Sequence, residues 1–351
     1  MIKIITLHSI PNPGSVLQAY ALQRFLFEKG YNNEIIDYRP YYSNVGKNKV
    51  KGIIREILFY RNQKSLQNKY SNFVRENLKL TNETYDTFKS LINSPPIADK
   101  YLTGSDQLWN LSYDCGKDDA YYLKFIENNK YSFATSIGKS NIPSDELNNI
   151  LGNINSFKGI SVREKSTSEI LSSKLNRKVE WVCDPVFLLD KDSYKNMIKS
   201  VDFNDYVIIY LSKSSDLLNN IIAKIKKDYG YKIILAGGNI TRCTCDLHIK
   251  DLGPYDFLSY LYNAKLVISS SFHATAFSHI FHKEFLSILP EGNSERIESL
   301  LKLTELENRI VKNVEDLSCL ENKIDFSLVE QRLKGFISNS KEFLIKKICE
   351  D

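Results

Sequence analysis

The sequence predicts an α/β protein built from two Rossmann-like domains, and three observations carry that prediction. Short β-rich runs alternate with segments of helical spacing along most of the chain, glycine or small polar residues follow the strand ends, and the alternation restarts near Asp202. At 351 residues, 42% of them hydrophobic, the chain is longer than the roughly 100 to 200 residues that a single core usually serves. Pro and Gly are sparse (9 and 15) and aromatic residues reach 12%, which excludes a disordered or collagen-like chain.

The elements follow in order. Residues 2–7 form a β-rich run, Pro11-Asn12-Pro13-Gly14 a turn, and Leu17, Ala21, Leu22 and Leu26 recur at helical spacing before a second strand at Ile35-Ile36-Asp37-Tyr38. In such a domain the loop and helix N-terminus face the ligand crevice, where free backbone N–H groups hold anions. Lys47, Lys49, Lys51, Arg55 and Arg61 interleave with apolar residues, which fits either a surface helix with a solvated basic face or a contact with an anionic lipid surface or a lipid diphosphate. A strand at residues 98–102 runs into Thr103-Gly104-Ser105-Asp106-Gln107-Leu108-Trp109-Asn110. This strand tip reads as polar pocket lining, with a cap or turn role for Asp106 as the plainer alternative. Further strands are expected around Tyr131-Ser132-Phe133, Ser161-Val162 and Glu180-Trp181-Val182.

In the second half, Tyr206-Val207-Ile208-Ile209-Tyr210-Leu211 is a buried strand, followed by a helix over 217–229 and strands at 232–236, 264–268 and 285–289. The apolar residues Leu328, Val329, Leu333, Phe336, Ile337, Phe343, Leu344 and Ile348 form a helical stripe. The expected division is a first domain over 1–200, a second over 201–325, and a C-terminal helix over 326–351 that packs back on the first.

Lys and Arg exceed Asp and Glu by 47 to 42, a net charge of +5, too small a bias to predict nucleic-acid binding. No apolar run approaches the ~18 residues that cross a bilayer, and the expected compartment is the cytoplasm. The six cysteines are scattered and are expected to be reduced. Cys243, Cys245, His248, His279 and His282 are too loosely spaced for a metal set, so no metal is expected. His273 follows Ser269-Ser270-Ser271 straight after a strand; it is either part of an anion site at a helix N-terminus or a satisfied core residue. No Gly-x-Ser-x-Gly elbow is present, which argues against esterase chemistry. Arg163, Arg296 and Arg309 are the cations suited to bidentate carboxylate or phosphate recognition.

Several ordered strings resemble the polysaccharide pyruvyl transferase family. Asn12-Pro13-Gly14-Ser15-Val16-Leu17-Gln18-Ala19-Tyr20 is similar to its N-terminal signature and Gly104-Ser105-Asp106-Gln107-Leu108-Trp109-Asn110 to its central motif. Ser161-Val162-Arg163-Glu164, Asp184-Pro185-Val186-Phe187, Gly253-Pro254-Tyr255-Asp256 and Ser271-Phe272-His273-Ala274-Thr275 follow in family order. Two positions depart from the pattern: Pro13 stands where an aromatic residue is common, and Ala274 where glycine is.

The resemblance implies two Rossmann-like domains facing a cleft, as in the GT-B glycosyltransferase architecture. It also implies transfer of the enolpyruvyl group of phosphoenolpyruvate onto two hydroxyls of a glycan precursor, giving a pyruvate ketal and phosphate. By it, His273, Asp106 and Arg163 are catalytic, and Asn12, Gly14, Ser15, Gln18, Ser105, Trp109, Asn110, Asp184, Ser271 and Arg296 bind substrate. His273 would meet the donor phosphate and act as acid, Arg163 would pair with phosphate or carboxylate, and Asp106 would serve the acceptor hydroxyl, with Trp109 and Asn110 under the sugar. No cofactor is implied beyond phosphoenolpyruvate as donor. The partner is a saccharide or lipid-linked oligosaccharide, with peripheral contact at the inner face of the cell membrane. The alternatives are a glycosyltransferase-like enzyme using a nucleotide sugar and a catalytically silent carbohydrate-binding homologue.

Overall fold

The structure is a computed structural model that describes residues 1–41, 53–139, 141–211, 215–237, 243–290, 292 and 294–350, with only the backbone course for 53–62. Lys47, Lys49 and Lys51 of the basic segment, and the side chains of Arg55 and Arg61, lie outside the described residues.

Strands β1 (Ile2–Ile5), β2 (Asn33–Tyr38), β3 (Leu80–Tyr85), β4 (Lys100–Thr103) and β5 (Lys130–Ser132) form a sheet of order β3-β2-β1-β4-β5. All its pairings are parallel. The short parallel pair β6 (Ser161–Val162) and β7 (Glu180–Trp181) extends it through isolated bridges Tyr131–Gly159 and Thr135–Val162. Strands β8 (Tyr206–Tyr210), β9 (Lys232–Ala236), β10 (Leu247–Ile249), β11 (Leu266–Ser269) and β12 (Glu284–Ser287) form a second sheet of order β10-β9-β8-β11-β12. It too is wholly parallel. The central strands read as near-continuous apolar runs because helices cover both faces of a parallel sheet, and Ile4, Ile5, Val207, Ile209 and Ile268 are fully buried.

The helices are α1 (Pro13–Glu28), α2 (Ile53–Asn77), α3 (Phe88–Asn93), α4 (Ser144–Ile154), α5 (Lys165–Leu175), α6 (Lys191–Tyr194), α7 (Asp216–Tyr229), α8 (Pro254–Asn263), α9 (Phe272–Ile280), α10 (Glu295–Thr304) and α11 (Phe326–Glu342). Their ends are set locally. Asn12 caps α1 by accepting from the N–H groups of Gly14 (2.9 Å) and Ser15 (3.3 Å), with Pro13 at the first turn. Ser215 caps α7, whose other end closes on Gly230 at φ 66°.

The chain divides into two compact units: Met1–Glu56, Tyr70–Leu189 and Gly335–Asp351 make the first, Ile57–Lys69 and Asp190–Lys334 the second. The boundary expected at residue 200 falls instead at Leu189. The physical reason is that Tyr194, fully buried, stands edge-on to Phe277 and Phe281, and the Lys199 N–H donates to Ser259 Oγ at 2.9 Å. The tail expected as one segment from 326 is likewise divided, its last part held by Phe336 against Trp181 (4.4 Å) and by Ser340 Oγ accepting from the Cys183 N–H (2.9 Å).

Candidate active site

Both sheets reverse their strand order beside their first strand, between β1 and β4 in the first unit and between β8 and β11 in the second. Ligands of open α/β sheets bind outside the carboxyl ends of the strands at such a switch point. In the first unit that position is filled by polar side chains from distant parts of the chain. Ser15, in the first turn of α1, donates through Oγ to Asp106, which follows β4. Gln18 donates through Nε2 to Thr6 Oγ1 and to the Ser15 carbonyl, each at 2.8 Å, and Thr6 Oγ1 donates to the Ser105 carbonyl at 2.9 Å. Ser105 Oγ donates to the Ala134 carbonyl (3.0 Å) and to Asp184 (3.3 Å).

Arg163, after β6, is the centre of this cluster. Its Nη1 pairs with Asp184, and its Nη2 lies 3.6 Å from Asp106 Oδ1, with side chains 1%, 0% and 11% exposed in that order. Asp184 also accepts from the Val186 N–H at 3.0 Å. One guanidinium thus stands between two carboxylates, and Asp106 is the more loosely held of the two.

Asp106 is also conformationally unusual, with φ at 92°, a region that costs an L-residue about 1 to 3 kcal/mol. It is held there by the Ser136 N–H donating to its carbonyl (2.9 Å) and by the Gln107 N–H donating to its Oδ1 (2.8 Å). Such strain persists where the surroundings over-determine it.

In the second unit, Ser271 caps α9 directly after β11 by accepting from the Ala274 N–H (3.4 Å). His273 lies in the first turn of α9, buried, with its ring 5.4 Å from that of Phe272. The Arg296 guanidinium sits 5.7 Å from the centre of the same Phe272 ring. A helix N-terminus, an imidazole and a guanidinium therefore gather around one aromatic ring, a combination that suits a multiply charged anion.

Not every expected residue belongs here. Trp109 is fully buried, stacked on Tyr122 (6.1 Å, 6°), with its Nε1–H donating to the Tyr121 carbonyl at 3.3 Å. It is a core residue and offers no face to a sugar. Asn110 is equally buried: its Nδ2 donates to Gln107 Oε1 (2.7 Å) and its Oδ1 accepts from the Ser112 N–H (3.0 Å). The Asn12 oxygen is spent on the α1 cap, which the buried Gly14 helps to form. Arg309, buried, pairs with Glu284 (3.2 Å) inside the second unit.

His248, His279 and His282 are dispersed. His248 bonds the Gly237 carbonyl, His282 pairs with Glu330, and His279 bonds the Thr275 carbonyl (2.8 Å) and Thr304 Oγ1 (3.3 Å). Among the described residues no three His, Cys, Asp or Glu side chains form a metal set. Burial pushes His279 down from 6.5 to about 4, partly offset by its bond to Thr275. The unfolded chain therefore binds this proton first, so the folded state is favoured above pH 6.5 and loses that advantage as pH falls toward 4, by about 3 kcal/mol. Urea unfolding of wild type and His279→Gln across this range is expected to show the steeper acid decline only in the wild type; parallel profiles would refute the assignment.

Two groups went unremarked in the sequence. Glu164, buried, accepts from Ser136 Oγ and from the Gly138 N–H (3.0 Å), bracing the loop that holds Asp106. His8 Nε2 meets Asp37 at 2.9 Å, and Arg39 (2.6 Å) and Thr84 (2.7 Å) donate to the same carboxylate. Burial raises the Asp37 pKa, but the bonds from His8, Arg39 and Thr84 outweigh it and hold the carboxyl well below the usual range. Glu164 directly follows Arg163 in a family-like string, whereas only strand-end position points to His8 and Asp37.

The polysaccharide pyruvyl transferase sequence profile matches residues 12–291. The chain belongs to that family. Membership makes it a pyruvyltransferase-family enzyme; Ser15, Gln18, Ser105, Asp106, Arg163, Asp184, Ser271 and His273 lie within the match, and Thr6 and Arg296 lie outside it. No curated protein sequence matches the chain. Among solved structures, it is similar to the UDP-GlcNAc 2-epimerase of Methanocaldococcus jannaschii in complex with UDP-GlcNAc and UDP, with TM-score 0.52 and 14% identity over 95% of this chain and 98% of that one. The UDP-GlcNAc 2-epimerase of Neisseria meningitidis bound to UDP-GlcNAc gives TM-score 0.52 and 10% identity over 100% and 99%. At these identities the likeness establishes the fold, a GT-B-like pair of Rossmann-like domains, and the family member shares it.

Proposed function

We propose that the protein transfers the pyruvyl group of phosphoenolpyruvate onto two hydroxyls of a cell-surface glycan precursor, forming a cyclic ketal and releasing phosphate. The observation that carries the proposal is that motifs of one transferase family, far apart in the chain, meet at the switch point of the first sheet, while another of its motifs stands at the switch point of the second. The donor side is the start of α9. His273 holds the phosphate and gives a proton to the methylene carbon, leaving an oxocarbenium-like centre; Arg296 and the helix N-terminus balance the donor's charge without titrating away.

The acceptor side is the Asp106 cluster. Asp106 takes the proton of the first hydroxyl as that oxygen attacks and returns it to the phosphate, which leaves by C–O cleavage; the second hydroxyl then closes the ring, and its proton restores the acid spent on the methylene carbon. Ser15 and Gln18 position that carboxylate and its loop. Arg163 is assigned to the donor's phosphate or carboxylate, Asp106 being the looser of its two present partners. The acceptor we propose is a saccharide or lipid-linked oligosaccharide met at the inner face of the cell membrane. No helix among the described residues is long and apolar enough to cross a membrane.

Calorimetric titration with phosphoenolpyruvate, phosphate and UDP-GlcNAc in parallel tests the donor. Saturable binding selective for phosphoenolpyruvate is expected, and phosphate release should fall at least about tenfold in His273→Ala. Binding of the nucleotide sugar alone would replace this reading with glycosyl transfer, while a near-wild-type rate in the variant would remove His273 from the chemistry.

A further inference from the structure

Tyr262, near the end of α8, carries two lysines on its ring. The Lys283 ammonium lies 5.3 Å and the Lys191 ammonium 5.4 Å from the ring centre, and all three residues are half-buried. Neighbouring lysines have counter-ions: Lys195 pairs with Asp192 at 2.7 Å and Lys265 with Asp205 at 3.2 Å. Among the described residues, neither Lys191 nor Lys283 forms an ion pair. The π-face attracts each cation, but it does not neutralise them. Burial, then the charges of Lys191 and Lys265, hold the Lys283 ammonium below the ordinary lysine range. A fold that keeps like charges together and partly desolvated lacks a negative group there.

We propose that Lys191, Lys283 and Tyr262 form a second anion site that takes a phosphate-bearing ligand. It is distinct from the donor side. Lys265 and Lys283 directly precede β11 and β12, which pair in parallel with Leu266 opposite Glu284, so the two lysines enter the sheet side by side at its amino end. Ser271 and His273 follow the carboxyl end of β11. The site therefore anchors a phosphate away from the chemistry, whether that phosphate is a soluble diphosphate or a lipid headgroup.

The test uses the full chain and Lys191→Gln/Lys283→Gln, with pyrophosphate titrated by calorimetry and phosphatidylglycerol vesicles by flotation. The wild type is expected to bind one of these probes, and the double variant to bind it at least tenfold more weakly while its titration with phosphoenolpyruvate is unchanged. Because the substitutions remove a repulsion, the variant should unfold at no lower temperature than the wild type, which separates lost binding from lost folding. Vesicle binding alone assigns a headgroup, and pyrophosphate binding alone a soluble ligand. Binding of neither probe, or equal binding by the double variant, overturns the site.

Discussion

Replacing Asp106 with alanine is expected to lower phosphate release from phosphoenolpyruvate by at least about a hundredfold, and glycine at the same position is expected to be equally inactive yet about 1 kcal/mol more stable than alanine. Both variants lose the same carboxylate, with its bonds to Ser15, Gln107 and Arg163, so those losses cancel in the comparison. What remains is the backbone: at φ 92° alanine keeps the strain that glycine does not feel. Urea unfolding of the pair, beside a phosphate-release assay, gives both numbers. Equal stability would mean that no strain is stored at Asp106, and turnover in either variant would take the carboxylate out of the reaction.

The second large effect concerns Arg163. Arg163→Met leaves Asp184 and Asp106 without their shared cation; breaking a buried pair in this way costs about 3 to 5 kcal/mol, because the Asp184 side chain is fully buried. Arg163→Lys is expected to fall between, since a single ammonium cannot fork between two carboxylates. Adding Asp184→Asn to Arg163→Met should cost at least about 1 kcal/mol less than the separate losses combined, because the stranded charge is gone while the Val186 N–H keeps an acceptor in the amide oxygen. Additive losses would show that the two side chains do not interact. Donor affinity should fall in each Arg163 variant, which a purely structural arginine would not require.

Much of the fold was legible because parallel strands buried on both faces leave unbroken apolar runs, as in Tyr206-Val207-Ile208-Ile209-Tyr210, with helical periodicity between them. The site was partly legible for the same reason: Asp106, Arg163, Asp184 and His273 all stand just past strand ends. Direction was not legible. Trp109 occupies the same stretch as Asp106, but a linear sequence does not say that its indole turns inward onto Tyr122. Nor does it pair His8 with Asp37, since each alone reads as an ordinary strand-end residue. The domain boundary was misplaced because it depends on Tyr194 meeting Phe277 and Phe281, contacts that no local pattern announces.

The return of residues 335–351 to the first unit bears on how the molecule is made. Domains generally fold as units during synthesis, the N-terminal one first. Here the order is inverted for the final step: the sheet that begins at Ile2 awaits Phe336 to cover Trp181 and Ser340 to receive the Cys183 N–H, and the Lys100 ammonium donates to the Cys349 carbonyl at 2.7 Å. Residues 190–334 have been synthesised by then, so the first unit acquires its full cover only after the chain of the second has been made.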